Sequence, residues 1–164
     1  MHDILISLGS NLGNSFKTLE DAIDDIASFK DCYIVKKSSF YKTKPVGFLD
    51  QDDFTNAAIL VKSALDPLDL LHLLQDLEHS YKRVRTIKNG PRTLDLDIIA
   101  ISDFISDSKE LTLPHMRMHE RAFVLVPCNE IAPDFLVLKH NLKIKDLVKK
   151  LDACELNSVE LINA

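Results

Sequence analysis

Cysteine is scarce and scattered in this chain, and that excludes two architectures at once. Cys32, Cys128 and Cys154 are odd in number and far apart, so they make neither a disulfide framework nor a zinc-ligand pattern. Three reduced, mostly buried thiols are expected. An excess of positive charge is also missing. The formal net charge is −5, which argues against a non-specific grip on nucleic acid. No apolar run approaches membrane-spanning length, and the N-terminus lacks a basic region followed by an apolar stretch. The expectation is a cytoplasmic chain with neither a nucleic-acid nor a membrane partner. Linkers, internal repeats and low-complexity tracts are absent too. With 164 residues, 46% of them hydrophobic, the chain reads as one domain with a real core.

Familiar phosphate-binding and nucleophile motifs are lacking as well. The turn Gly9-Ser10-Asn11-Leu12-Gly13 has neither the P-loop spacing nor the dinucleotide-binding one. No Cys–His or Ser–His–Asp order marks a covalent nucleophile.

What is there is clear periodicity. His2 to Leu8 reads as a nearly continuous apolar strand. Phe16, Leu19, Ile23 and Ile26 then recur at helical spacing, with Asn14 or Ser15 as the cap. Strands are expected over Cys32 to Tyr41 and Phe54 to Lys62, with a loop from Thr43 to Asp53 between them. Asp66-Pro67 opens a second helix lined by Leu70, Leu74, Leu77 and Tyr81. A basic loop runs from Lys82 to Arg92, and a strand from Leu94 to Ile101. Glu110 to Pro114 suggests an edge segment, Arg117 to Asn129 a third helix, and Ile144 to Leu151 another. The order β-α-β-β-α-β predicts an α+β fold of ferredoxin-like type. Two helices would pack on one face of an antiparallel sheet, followed by a C-terminal helical and strand extension.

One strand carries a chemical signal. Alternate strand residues share a face, so Asp95 and Asp97 point one way while Leu94, Leu96 and Ile98 point into the core. Two carboxylates about 7 Å apart repel by roughly 2 kcal/mol at an effective dielectric near 20. A hard divalent cation offsets that repulsion. An isolated Asp-x-Asp is more often a solvated strand face. Here, however, Lys82, Arg83, Arg85, Lys88 and Arg92 crowd the preceding segment with no acid among them. Acids for a metal ion beside cations for phosphate oxygens describe a nucleotide-phosphate site. The alternative is a surface ion-pair network. Two further groups stand out. His115 and Arg121 flank the third helix and suit phosphate or nucleotide contacts, or else a capping histidine and a surface arginine. Phe54 and Asn56 share a strand face, and an aromatic plate beside an amide suits a flat heterocycle. Phe123 reads as core.

Several segments together resemble a known family. They are Ile6 to Gly13, Ser39-Phe40-Tyr41, Asp53 to Ala58, Arg83-Val84-Arg85, Gly90 to Ile98, and Leu113-Pro114-His115 through Arg121-Ala122-Phe123. In this order they resemble the 6-hydroxymethyl-7,8-dihydropterin pyrophosphokinases of folate biosynthesis, from the first strand to about Pro133. The resemblance implies a core over 1–133, an extension over 134–164, and transfer of diphosphate from ATP to a reduced pterin with release of AMP. It implies that Asp95 and Asp97 hold two Mg²⁺ ions. It gives phosphate contacts to Arg83, Arg85 and Arg92, with Arg83 and Arg92 catalytic alongside the two aspartates. His115 and Arg121 would bind the nucleotide. Phe54 and Phe123 would sandwich the pterin, Asn56 would pair with its edge, and Thr43 and Val46 would offer backbone groups. Glu78 would partner the basic loop. The chain departs from the family pattern at Asn89, where a Trp is common, in a basic loop one residue short, at Phe54 for a common Tyr, and at Lys44 for a common Pro. The alternative is an inactive pterin- or nucleotide-binding module of the same fold. Oligomeric state is not encoded legibly, and a monomer is the default expectation.

Overall fold

The computed structural model describes residues 1–45, 50–81 and 93–162. It opens with β1 (His2–Ser10), α1 (Ser15–Ala27), β2 (Cys32–Lys37), β3 (Tyr41–Thr43), β4 (Phe54–Ser63), α2 (Pro67–Ser80) and β5 (Asp95–Ile101). Shorter elements follow: β6 (Ser106–Asp107), β7 (Thr112–Leu113), a single 3₁₀ turn at Met118–Glu120, and α3 (Ala122–Ile131). The chain closes with β8 (Leu136–Val137), β9 (Leu142–Lys143), α4 (Ile144–Lys149), α5 (Ala153–Asn157) and β10 (Val159–Leu161).

The main sheet runs β10-β3-β4-β1-β5, with β2 also paired to β4, and every pairing is antiparallel. This is an α+β fold, as expected. Along β1 every second side chain faces α1 and α2. Ile4, Ile6 and Leu8 join Ala57, Ile59 and Val61 of β4 and Leu96 and Ile98 of β5. Leu19, Ile23 and Ile26 of α1 and Leu70 and Leu74 of α2 close over them. Burying each such side chain contributes about 1.5–3 kcal/mol. The helix starts are fixed by side chains. Asn14, not Ser15, caps α1 by accepting from the Lys17 N–H at 3.2 Å. Asp66 caps α2 by accepting from Leu68 N–H at 3.0 Å, with Pro67 just inside. Gly13 ends the β1–α1 turn at φ +66°, a conformation that penalises a Cβ.

The opposite face is covered over only part of its length. Leu5, Ala58, Ile99 and Ala100 pack against Val124, Leu125 and Cys128 of α3 and Ile144 and Leu147 of α4. Burial pushes the Cys128 thiol up to about 12, so it packs as a small apolar group. Cys32 is also buried, whereas Cys154 is exposed. Among the described residues no helix is long and apolar enough to cross a membrane.

Most element ends shift by a residue or two from the sequence reading, and two differences near the cavity are larger. The strand expected over Cys32 to Tyr41 is two strands, β2 and β3. At the break the Ser38 hydroxyl, rather than a backbone carbonyl, accepts from Ala58 N–H at 2.9 Å. The Ser39 N–H turns away to the Glu130 carboxylate at 3.0 Å. Side-chain bonds to partners distant in the chain interrupt the ladder there. The third helix starts at Ala122 because Arg121 is extended, at φ −111° and ψ 104°. The C-terminal extension ends in β10, an added edge strand.

Replacing the α2 cap, Asp66→Ala, is expected to cost about 1 kcal/mol. The measurement is the urea midpoint at unchanged slope. An unshifted midpoint would show that Pro67 alone sets the helix start.

Candidate functional site

The uncovered half of the second sheet face is polar. Ser7 and Gly9 of β1 lie there, with Asn56 of β4 and with Asp95 and Asp97 of β5. The register places Gly9 between Asn56 on one side and Asp95 on the other, and Ser7 opposite Asp97. Across from this floor stand the start of α3 and the turn before it, supplying Arg117, Glu120, Arg121, Ala122 and Phe123. Together with Thr43, Lys44 and Phe54 they enclose a cavity of about 350 Å³.

Gly9 lets this floor pack closely. A Cβ on it would lie 2.9 Å from Asn56 Oδ1, closer than van der Waals contact permits. The buried Asn56 amide therefore rests on bare backbone, and its Nδ2 donates to the buried Thr43 Oγ1 at 2.6 Å. Phe54 lies two residues from Asn56 on the same strand face, half-buried. Phe123 is half-buried too, packed against the second core cluster at its edge. The Arg121 guanidinium sits 5.5 Å from its ring centroid, a cation–π distance that steadies both groups.

The carboxylates behave as the strand alternation requires. Leu94, Leu96 and Ile98 are buried, while Asp95 and Asp97 are half-exposed and line the cavity. Among the described residues no cluster of three or more His, Cys, Asp or Glu side chains is arranged to hold a metal ion. Two carboxylates supply oxygen ligands for a hard cation but only part of a coordination shell. That fits Mg²⁺, which is commonly bound by one or two carboxylates with substrate phosphates and water completing the shell. Glu78 of α2 is buried, and its Oε2 accepts from Leu96 N–H at 2.8 Å, which fastens the strand between the two aspartates.

His115 stands beside the cavity without lining it. Its N–H donates to Ile99 O at 2.7 Å, which anchors the segment to β5. Burial pushes the imidazole below its usual value. The Arg121 and Arg117 charges act the same way, and Asp95 opposes them. The Arg117 N–H donates to His115 Nδ1 at 3.3 Å, so the neutral ring carries its hydrogen on Nε2.

The structure thus gathers Thr43, Phe54, Asn56, Asp95, Asp97, Arg121 and Phe123 around one cavity, with His115 adjacent. Val46, Arg83, Arg85 and Arg92 lie outside the described residues. Sequence reasoning missed Arg117 and Glu120, paired at 3.5 Å on the rim, and Glu155 and Ser158 of the C-terminal segment. No local pattern marks these exposed polar residues.

A family model described as 7,8-dihydro-6-hydroxymethylpterin-pyrophosphokinase (HPPK) matches residues 5–133. The chain is 45% identical over 145 residues to the 2-amino-4-hydroxy-6-hydroxymethyldihydropteridine pyrophosphokinase of Haemophilus influenzae, covering 88% of this chain and 90% of that one. It is 37% identical over 155 residues to the protein of the same name from Methylorubrum extorquens, covering 94% and 97%. In fold it is similar to the Plasmodium falciparum HPPK-DHPS structure with pteroate, at a TM-score of 0.70 and 16% identity. That match covers 91% of this chain and 42% of the other.

Gly9→Ala is expected to displace the Asn56 amide and break its bond to Thr43, at a cost of about 1–3 kcal/mol. The Asn56 side-chain amide resonances and the denaturation midpoint report it. If neither moves, the floor accommodates a Cβ and the argument from close approach is wrong.

Proposed function

The chain belongs to the 7,8-dihydro-6-hydroxymethylpterin-pyrophosphokinase family, and from that we propose that it transfers diphosphate from ATP to the hydroxymethyl group of 6-hydroxymethyl-7,8-dihydropterin in folate biosynthesis. The observation that carries the reading to this site is a single cavity with carboxylates at one end and an aromatic-plus-amide corner at the other. A nucleotide triphosphate and a flat heterocycle need those two ends. The hydroxymethyl oxygen attacks the β-phosphorus of ATP. The bond from that phosphorus to the α,β-bridging oxygen breaks, AMP leaves, and the hydroxyl proton passes to solvent.

In this proposal Asp95 and Asp97 hold two Mg²⁺ ions. When bound, the metal neutralises triphosphate charge and eases loss of the hydroxyl proton. Arg83, Arg85 and Arg92 contact phosphates, a role supported by the family motif alone. Arg121 adds charge at the cavity rim, and neutral His115 offers an Nε2–H donor to the nucleotide. At the other end Phe54 and Phe123 stack on the pterin while Asn56 reads its edge. Thr43 and Val46 present backbone groups there. Such transfer is governed by positioning and charge neutralisation, so no protein nucleophile is needed.

Finer features belong to the same proposal. The order β5-β1-β4 with β2 and β3 beyond supports a ferredoxin-like topology. We read residues 1–164 as one catalytic domain, with a core to about 133. It would act as a monomer in the cytoplasm on ATP and a reduced pterin, without nucleic acid or membrane.

Product analysis tests the reading. With Mg·ATP and the pterin, AMP is the expected nucleotide product. ADP would indicate an ordinary kinase, and phosphate released without acceptor a hydrolase. Pterin binding with no turnover would indicate an inactive binding module. Asp97→Ala is expected to lower transfer by at least about a hundredfold while the fold survives, because the half-exposed carboxylate lies outside the hydrophobic core. Normal turnover in that variant would remove the metal assignment.

A further inference from the structure

The family match ends at residue 133, yet the cavity does not. Glu155 of α5 and Ser158, just before β10, line it beside Thr43. The two segments are joined through the sheet. β10 pairs with β3 in the register Val159 to Thr43, Glu160 to Lys42 and Leu161 to Tyr41. The Ile162 N–H extends the ladder to Phe40 O at 2.8 Å, and the Ile162 side chain packs on the core beneath α1. On its other side β3 pairs with β4, Tyr41 to Asn56 and Thr43 to Phe54. A three-residue strand at a sheet edge has little to hold its register. β10 removes that edge. It thereby fixes Thr43, whose hydroxyl accepts from Asn56 Nδ2 at 2.6 Å.

We propose that β10 is a positioning element for the pterin, acting through β3 to hold the Thr43–Asn56 pair in the orientation that reads the pterin edge. The inference rests on the functional reading above. It predicts an effect confined to one end of the cavity. Asp95 and Asp97 lie on β5, at the opposite edge of the sheet from β10, so nucleotide binding should be untouched.

The test uses the full chain and two variants at one position. Ile162→Pro removes the N–H that bonds to Phe40, whereas Ile162→Ala keeps it and removes only packing. Calorimetry measures the affinity for a non-hydrolysable Mg·ATP analogue, and then for 6-hydroxymethyl-7,8-dihydropterin with that analogue saturating. Ile162→Pro is expected to weaken pterin binding about tenfold or more, with nucleotide affinity held within about twofold. Ile162→Ala should retain most pterin affinity. Adding Asn56→Ala to the proline variant should cost less than it does alone, since coupled groups are not additive. Unchanged pterin binding in Ile162→Pro, an equal loss for both ligands, or a full loss in Ile162→Ala would each overturn the proposal. If Ile162→Pro does not fold, a chain lacking residues 159–164 is measured the same way, with the same outcomes deciding. Failure of both to fold would make β10 a folding element and overturn the positioning role. Wild-type protein that bound no pterin at all would instead overturn the functional reading, and this inference with it.

Discussion

A sheet that is largely apolar on one face and apolar on half of the other cannot be satisfied by two helices. α1 and α2 close the first face. On the second, Leu5, Ala58, Ile99 and Ala100 demand apolar cover, while Asp95 and Asp97 refuse it and Ser7, Gly9 and Asn56 form the polar floor beside them. Each covered apolar side chain contributes about 1.5–3 kcal/mol. Burying a carboxylate costs several kcal/mol unless it is paired. α3 and α4 settle on the apolar half for that reason. The cavity is what remains beyond the α3 N-terminus, and its position follows from where the second face changes chemistry.

That transition is legible in the strands themselves. Alternation in residues 94–98 separates the aspartates from the core leucines, and the same reasoning gives the faces of β1 and β4. Helix caps are legible because Asn14 and Asp66 satisfy donors within their own turn. The features that escape sequence reading depend on partners distant in the chain. The break between β2 and β3 needs the Ala58 N–H, which donates to the Ser38 hydroxyl, and the Glu130 carboxylate, which accepts from Ser39 N–H. Nothing within Val159-Glu160-Leu161 announces a strand, because an edge strand is defined by the neighbour it joins. Arg117, Glu120, Glu155 and Ser158 reach the cavity only through tertiary placement.

Glu130 shows how α3 is tied to the strand end. Its carboxylate accepts from the Ser39 hydroxyl at 2.9 Å and from the Tyr41 hydroxyl. Burial and that neighbouring charge push the Tyr41 phenol well above its usual range, so it stays a donor. The helix that carries Phe123 at its start is thus fastened near its end to the strand that carries Thr43. Two walls of the cavity share one polar link. Exposed ion pairs such as Arg117–Glu120 contribute little by comparison.

Transfer between two bound molecules depends on the distance between their sites, and on the proposed assignment Gly9 lies between them. Gly9 has Asn56 as its partner on one side and Asp95 on the other. The Asn56 amide and the Asp95 carboxylate therefore stand two strand spacings apart, about 10 Å. Hydrogen-bonded backbone maintains that span, not a flexible loop. A misplacement of about 1 Å can cost a hundredfold in rate, so a rigid ruler between the two ends is worth more than additional contacts at either. The bare backbone of Gly9 lets the Asn56 amide lie close against the floor.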